Sequence, residues 1–173
     1  MLPNILKKNV AIFITYQIRI WNRNIEAAEK LVTLLISENI KAEVSKSVQE
    51  AARDADIINT CTGASTPILK ADWVKAGAHI NSVGAPRPDF HEIEEDLVRK
   101  GIIYTDSRES AENEAGDVIK AGVPVFAEIG EVLLGSKPAN KNSLTIYKSL
   151  GLAVQDAVTA RLVYNMLYEN NPL

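Results

Sequence analysis

The sequence predicts an α/β fold built on a mostly parallel sheet, and three observations carry that expectation. Residues 55–62 and 78–83 form two near-continuous apolar runs rather than alternating ones, the pattern of parallel strands buried on both faces. Strand-like and helix-like stretches alternate along most of the chain, as in successive βαβ units. Both runs end in small residues, Thr62-Gly63-Ala64-Ser65 and Ser82-Val83-Gly84-Ala85. Small residues just past the carboxyl ends of parallel strands let a ligand approach the backbone, and that edge is where open α/β sheets bind ligands.

The bulk properties narrow the function classes. A chain of 173 residues fits one domain with a good core, and 46% hydrophobic with 24% charged residues is ordinary for a globular protein. A net charge of −3 gives no electrostatic reason to expect nucleic acid or an anionic membrane. Cys61 is the single cysteine, placed by this reading inside a buried strand, so no intrachain disulfide forms and a reducing, cytoplasmic setting is expected. The apolar run 10–14 is too short to span a bilayer, and no signal-peptide cleavage pattern accompanies it. One cysteine and two separated histidines offer no metal-site spacing.

Taken in order, residues 1–16 are an atypical leader whose run 10–14 could be a strand. Residues 17–21 read as a strand, and Asn24 caps a helix from Ile25 to Glu38 with Ala27, Ala28, Leu31, Leu34 and Leu35 on one face. Residues 41–44 read as an edge strand, and Ser47 with Glu50 as a capping box opening a helix to about Arg53. After the two apolar strands, Asp89 with Glu92 is a capping pattern for a helix reaching Lys100. A strand at 102–105 and a polar helix at 109–120 follow, then a stretch of mixed signal at 123–134, a strand at 144–147 and a long helix at 151–169. Right-handed crossovers would put helices on both faces of the sheet.

Several motifs bring a family into view: Ala55-Asp56-Ile57-Ile58, Thr66-Pro67-Ile68-Leu69, Trp73-Val74-Lys75, Gly77-Ala78-His79-Ile80-Asn81, Val83-Gly84-Ala85 with Arg87-Pro88-Asp89, Ile20-Trp21-Asn22-Arg23, Phe126-Ala127-Glu128-Ile129-Gly130-Glu131-Val132 and Lys148-Ser149-Leu150-Gly151. Together they resemble the ornithine cyclodeaminase/mu-crystallin family, closest to its mu-crystallin, ketimine-reductase branch, over about residues 17–168. The resemblance implies a Rossmann-like domain at 17–150 and a C-terminal helix, 151–173, packing toward a dimerisation and substrate domain. No glycine precedes Gly63, so the first strand, its glycine-rich phosphate loop and the following helix have no counterpart, and neither does the family's N-terminal region. The chain therefore reads as the back portion of a longer protein, with an unrelated leader. An apolar face of the last helix would lose its usual cover and self-associate.

The candidate site residues follow from strand ends and from the resemblance. Asn22, Arg23 and Asn24 follow the second strand of the expected unit, where an arginine suits the 2′-phosphate of NADP, with a solvated arginine beside a capping asparagine as the alternative. Thr62, Gly63 and Ala64 with Ser82, Val83 and Gly84 would border the ribose and nicotinamide; the alternative is ordinary turn chemistry, with glycines meeting unusual dihedral angles. Ser149, Leu150 and Gly151 resemble the family's segment that closes over the cofactor, or else simply start a helix. Pro86 stands where cyclodeaminases carry a catalytic aspartate, which points away from ornithine deamination. Arg87 is a candidate for a substrate carboxylate and Glu128 for an acid lining the active site, against surface-loop and helix-turn alternatives. His79 reads as a satisfied core histidine and His91 as part of a solvated helix face.

The resemblance implies NADPH-dependent reduction of the C=N bond of cyclic ketimines, such as piperideine and thiomorpholine carboxylates, by a homodimeric oxidoreductase. Activity in this chain is expected to be impaired by the missing glycine loop. A non-enzymatic protein binding thyroid hormone and NADP, or an inactive fragment, is the alternative; ornithine cyclodeaminase and alanine dehydrogenase activities rank below these.

Overall fold

The computed structural model describes residues 17–169, and the expected leader at 1–16, with its strand at 10–14, lies outside them. The chain divides into two compact units, Met1–Arg53 and Asp54–Leu173.

In the first unit, β1 (Ile18–Ile20) and β2 (Ala42–Val44) pair in parallel with Arg19 opposite Glu43. Between them runs α1 (Ile25–Ser37), and α2 (Val48–Ala52) follows. Asn24 caps α1 as the sequence predicts, its Oδ1 accepting from the Ala27 N–H at 3.2 Å. The buried stripe of α1 differs from the predicted one. Ala28 and Val32 are buried, whereas Leu31 and Leu34 are 45% and 59% exposed. The helix carries apolar residues around most of its circumference, so periodicity alone does not select the covered side. Ser47 and Glu50 form the expected start of α2, with the Ser47 hydroxyl accepting from Glu50 N–H at 3.1 Å. The Arg19 guanidinium donates to the Glu50 and Arg53 carbonyls, ties β1 to the end of α2 and satisfies acceptors that a helix terminus leaves open.

The second unit holds a five-stranded, wholly parallel sheet. Its strands are β3 (Ile57–Thr60), β4 (His79–Ser82), β5 (Ile102–Thr105), β6 (Ala127–Glu128) and β7 (Thr145–Lys148), in the order β3-β4-β7-β5-β6. The last strand in sequence thus sits in the middle. One face is the core: Ile80, Ile146 and Ile103 lie abreast, and one step on Ser82, Lys148 and Thr105 do the same, all buried. The helices α3 (Glu95–Lys100), α4 (Arg108–Glu114) and α5 (Gly116–Ala121) bury Leu97, Val98, Ala111, Val118 and Ala121. On the other face, Ile57 and Asn59 are exposed and His79, Asn81 and Tyr147 half-buried.

Burial of β3 on both faces is therefore not found. As an edge strand it pairs only with β4 in this sheet, its side chains alternate in exposure, and Cys61 beyond it is exposed rather than buried. The helix expected from Asp89 begins only at Glu95. Pro88 and Asp89 lie in a tight turn closed by Phe90 N–H donating to the Arg87 carbonyl at 3.0 Å, and the Glu92 and Ile93 N–H groups go to the Asp117 carboxylate instead of a helix. His91 is accordingly buried ahead of the helix rather than on a solvated face. The polar helix at 109–120 splits into α4 and α5 at Ala115, whose ψ of 100° is extended. Gly116 is what permits that junction, because a Cβ there would strike the Phe90 and Arg87 carbonyls. The mixed stretch resolves into β6 and the short α6 (Ile129–Leu133). The final helix α7 (Ala153–Tyr164) is exposed along its length, with Val154, Val158 and Leu162 at 60%, 64% and 51%. None of the described helices is long and apolar enough to cross a membrane.

Candidate functional site

Because the second unit's strands are all parallel, their carboxyl ends share one edge. Thr62, Gly63 and Ala64 follow β3, Ser82 closes β4 with Val83 and Gly84 beyond it, and Ser149, Leu150 and Gly151 follow β7. Neighbouring tips are laced together. The Val83 and Gly84 N–H groups donate to Thr60 O at 2.8 and 3.3 Å, and Ser149 N–H donates to Ser82 O at 2.9 Å. Nine of the predicted residues are thus brought to adjacent strand ends. Asn22, Arg23 and Asn24 lie at the carboxyl end of β1 in the first unit, all exposed, with Asn24 N–H donating to Asn22 Oδ1 at 2.8 Å.

The three glycines at this edge differ in what requires them. Gly63 and Gly84 do not have positive φ, so the unusual-dihedral alternative does not apply to them; Gly151, at φ 88°, does fit it. A Cβ at Gly63 would meet nothing within 4 Å, leaving open space over the β3 tip. A Cβ at Gly84 would fall on the carboxylate of Glu92. Gly84 is small to admit a buried side chain of the protein itself.

Four ionisable residues that strand-end reasoning missed organise this edge. Glu92 is fully buried, and its Oε1 accepts from Thr62 N–H at 2.5 Å. Asp117, 2% exposed, accepts through Oδ1 from Glu92 and Ile93 N–H at 2.7 and 2.9 Å. Lys148, 1% exposed, stands 3.4 Å from Asp117 Oδ2 and donates to Ser82 Oγ at 3.3 Å and to the Gly84 carbonyl. Burial holds the Lys148 ammonium below the usual lysine pKa, and Asp117 opposes that shift. Asp106, just past β5, gathers the N–H groups of Leu150 and Gly151 on its Oδ2 at 2.8 and 2.7 Å, with the Ser149 hydroxyl at 3.3 Å. A lysine inside an apolar strand was the available sequence signal. The other three look like ordinary loop and helix-start acids.

The two predicted reactive side chains are engaged. Glu128 Oε1 accepts from Arg108 N–H at 2.8 Å, and Glu128 and Glu131 form a capping box at the start of α6. Arg108 pairs with Glu131 at 3.2 Å. These three residues line an open depression with Glu109, Glu112 and Asn113. Arg87 is exposed, paired with Asp89 at 2.8 Å and stacked 4.3 Å over the Phe90 ring. Its hydrogen bond holds the Asp89 carboxyl below the usual range, so Asp89 serves that pair and not a helix start. The other histidine, His79, is satisfied as expected, within hydrogen-bond distance of Thr145 Oγ1 at 2.7 Å and Asn81 Oδ1 at 3.1 Å, but it is only half-buried.

A parallel sheet with helices and small-residue strand tips on one edge defines an α/β fold of Rossmann type. The sequence profile of the ornithine cyclodeaminase/mu-crystallin family matches residues 5–171, and the chain belongs to that family. It is 50% identical to ketimine reductase mu-crystallin of Mus musculus over 149 residues, which is 86% of this chain and 47% of that protein. It is 35% identical to alanine dehydrogenase of Archaeoglobus fulgidus over 154 residues, 84% of this chain and 47% of that one. Among solved structures, Thermococcus litoralis Δ1-pyrroline-2-carboxylate reductase in complex with NADH and L-proline superposes with a TM-score of 0.84 at 30% identity, over 95% of this chain and 54% of that one. The chain spans about half the length of the curated relatives it matches. The mouse relative is named as a ketimine reductase, and the Thermococcus one is a Δ1-pyrroline-2-carboxylate reductase holding NADH.

Proposed function

We propose that the chain serves NADPH-dependent reduction of the C=N bond of small cyclic ketimines, of the piperideine and thiomorpholine carboxylate kind. The observation that carries this reading is the shared edge of β3, β4 and β7, where Gly63 leaves open space over a strand tip. The residues fit the nicotinamide side of a dinucleotide there. Thr62, Gly63 and Ala64 with Ser82, Val83 and Gly84 would border the nicotinamide and its ribose, and the segment Ser149, Leu150 and Gly151, anchored by Asp106, would cover them. Within the first unit, Arg23, flanked by Asn22 and Asn24, is the residue proposed to read a 2′-phosphate, because a guanidinium pairs bidentately with phosphate. When bound, the cofactor supplies the hydride. The chain's own part is to orient and to keep the ring out of water. The exposed pair Arg87–Asp89 would hold a substrate carboxylate by its guanidinium.

The sequence has no glycine before Gly63, so no glycine-rich motif is there to hold the pyrophosphate, and weak cofactor binding is expected of these residues. A second copy is the partner that this reading gives the apolar face of α7. One observation favours a second reading, binding of NADP and thyroid hormone without turnover: Glu128, the expected acid, is spent on helix starts. A titration followed by amide NMR at millimolar NADPH tests the first reading, with shifts expected at residues 62–64, 82–84 and 149–151. Hydride transfer to piperideine-2-carboxylate then decides between the readings, and no shift at those residues rejects both.

A further inference from the structure

We propose that Glu92 is a positioning residue of this edge: its carboxylate straps the β3 tip to the β4 tip, and Asp117 with Lys148 holds the strap in register. The ligand side of the inference rests on the dinucleotide reading above; the strap itself does not. Glu92 Oε1 takes the Thr62 N–H at 2.5 Å, the second amide beyond β3 and the last before Gly63. The rest of the carboxylate occupies the volume where Gly84 would carry a Cβ. One side chain therefore touches both tips between which a nicotinamide would sit.

The backbone of Glu92 is pinned on two sides. Its N–H goes to Asp117, and its carbonyl accepts from Ile68 N–H at 2.9 Å and Leu69 N–H at 3.3 Å. Lys148 closes the circuit by bonding the Gly84 carbonyl and facing Asp117. Charge-assisted hydrogen bonds between buried groups are short and directional. A purely structural acid has no need to reach two ligand-facing loops, and its second oxygen, Oε2, is buried without a hydrogen-bond partner among the described residues. Such an orphan costs free energy, and the neighbouring Lys148 ammonium partly offsets it.

The strap is read first without any substitution. A through-hydrogen-bond scalar coupling between the Thr62 backbone nitrogen and Glu92 Cδ is expected in the labelled wild-type chain, and its absence overturns the proposal. Glu92→Met keeps the length and removes the acceptor. Amide exchange at residues 62–64 and 84 should then quicken at least tenfold while β5 keeps its wild-type rate, and Glu92→Gln should restore protection. In the same variant, reduced nicotinamide mononucleotide should bind at least tenfold more weakly, with adenosine 2′,5′-bisphosphate within twofold of wild type. Equal losses for both ligand halves, or uniform quickening across the sheet, would make Glu92 a general stability residue and end the inference. Wild-type protein that shows the coupling but binds neither half would refute the dinucleotide reading and leave the strap standing.

Discussion

The Asp106 carboxylate collects two consecutive backbone N–H groups, those of Leu150 and Gly151, from a loop more than forty residues away, at 2.8 and 2.7 Å. A single oxygen, Oδ2, thereby fixes the chain as it leaves β7, while Oδ1 binds Ser107 N–H at 3.0 Å. Asp106→Ala strands both amides near the surface of the core. Leu150 is half-buried and Gly151 exposed, so water replaces part of what a hydrogen bond to a charged group contributes, about 1.5–3 kcal/mol, and a loss of about 1–2 kcal/mol is expected in urea unfolding. Exchange at 150 and 151 should quicken well before the rest of β7.

Gly63 and Gly84 should part company under the same substitution. Gly63→Ala points its methyl into open space, so stability should stay within about 0.5 kcal/mol of wild type, as for a surface change. Nicotinamide binding should nonetheless weaken at least tenfold. Gly84→Ala drives a methyl onto Glu92 and should cost about 1–3 kcal/mol, the range for overpacking. Paired thermal melts and ligand titrations distinguish the two. A Gly63→Ala chain that binds as well as wild type removes the open space from the argument.

Lys148 predicts a slope in stability against pH. Its folded-state pKa is lowered by burial, so between that value and the ordinary lysine value of about 10.4 the unfolded chain binds one more proton than the folded one. Stability contributed at this site should therefore rise with pH across the window and sit at its minimum below the folded pKa. Lys148→Met should flatten the slope, as read from denaturant midpoints taken up to pH 10.5. A wild-type curve that falls more steeply than the variant's through that window contradicts the sign.

Arg23 should decide between coenzymes. Charge-assisted hydrogen bonds contribute about 1.5–3 kcal/mol each, and about 1.4 kcal/mol is tenfold in affinity. Arg23→Ala is expected to weaken adenosine 2′,5′-bisphosphate by roughly tenfold to a hundredfold while adenosine 5′-monophosphate is unaffected. Equal weakening of the two by calorimetry would show that Arg23 does not read the 2′-phosphate.

Strand positions and tips were legible because they depend on local pattern: apolar runs closing in Thr62-Gly63 and Ser82-Val83-Gly84, and Asn24 and Ser47 as caps. What was hidden depends on distance along the chain. Thr62 meets Glu92 thirty residues later, and Lys148 reaches back 64 residues to Gly84. Such partners leave no periodic trace. Glu92 reads as a helix-start acid because Asp89 stands three residues before it, yet the turn at 87–90 and Asp117 take up the groups that such a helix start would use. The covered side of α1 was hidden for the opposite reason, too many apolar residues instead of too few.

The middle position of β7 carries a consequence for synthesis. Until Thr145–Lys148 has left the ribosome, the β3–β4 pair and the β5–β6 pair have no strand to join them. Pairings this far apart in sequence are slow to close, so a nascent chain ending before residue 145 holds two separate ribbons with unprotected margins. Those margins are where a chaperone would act, and where overexpressed chain would first clump.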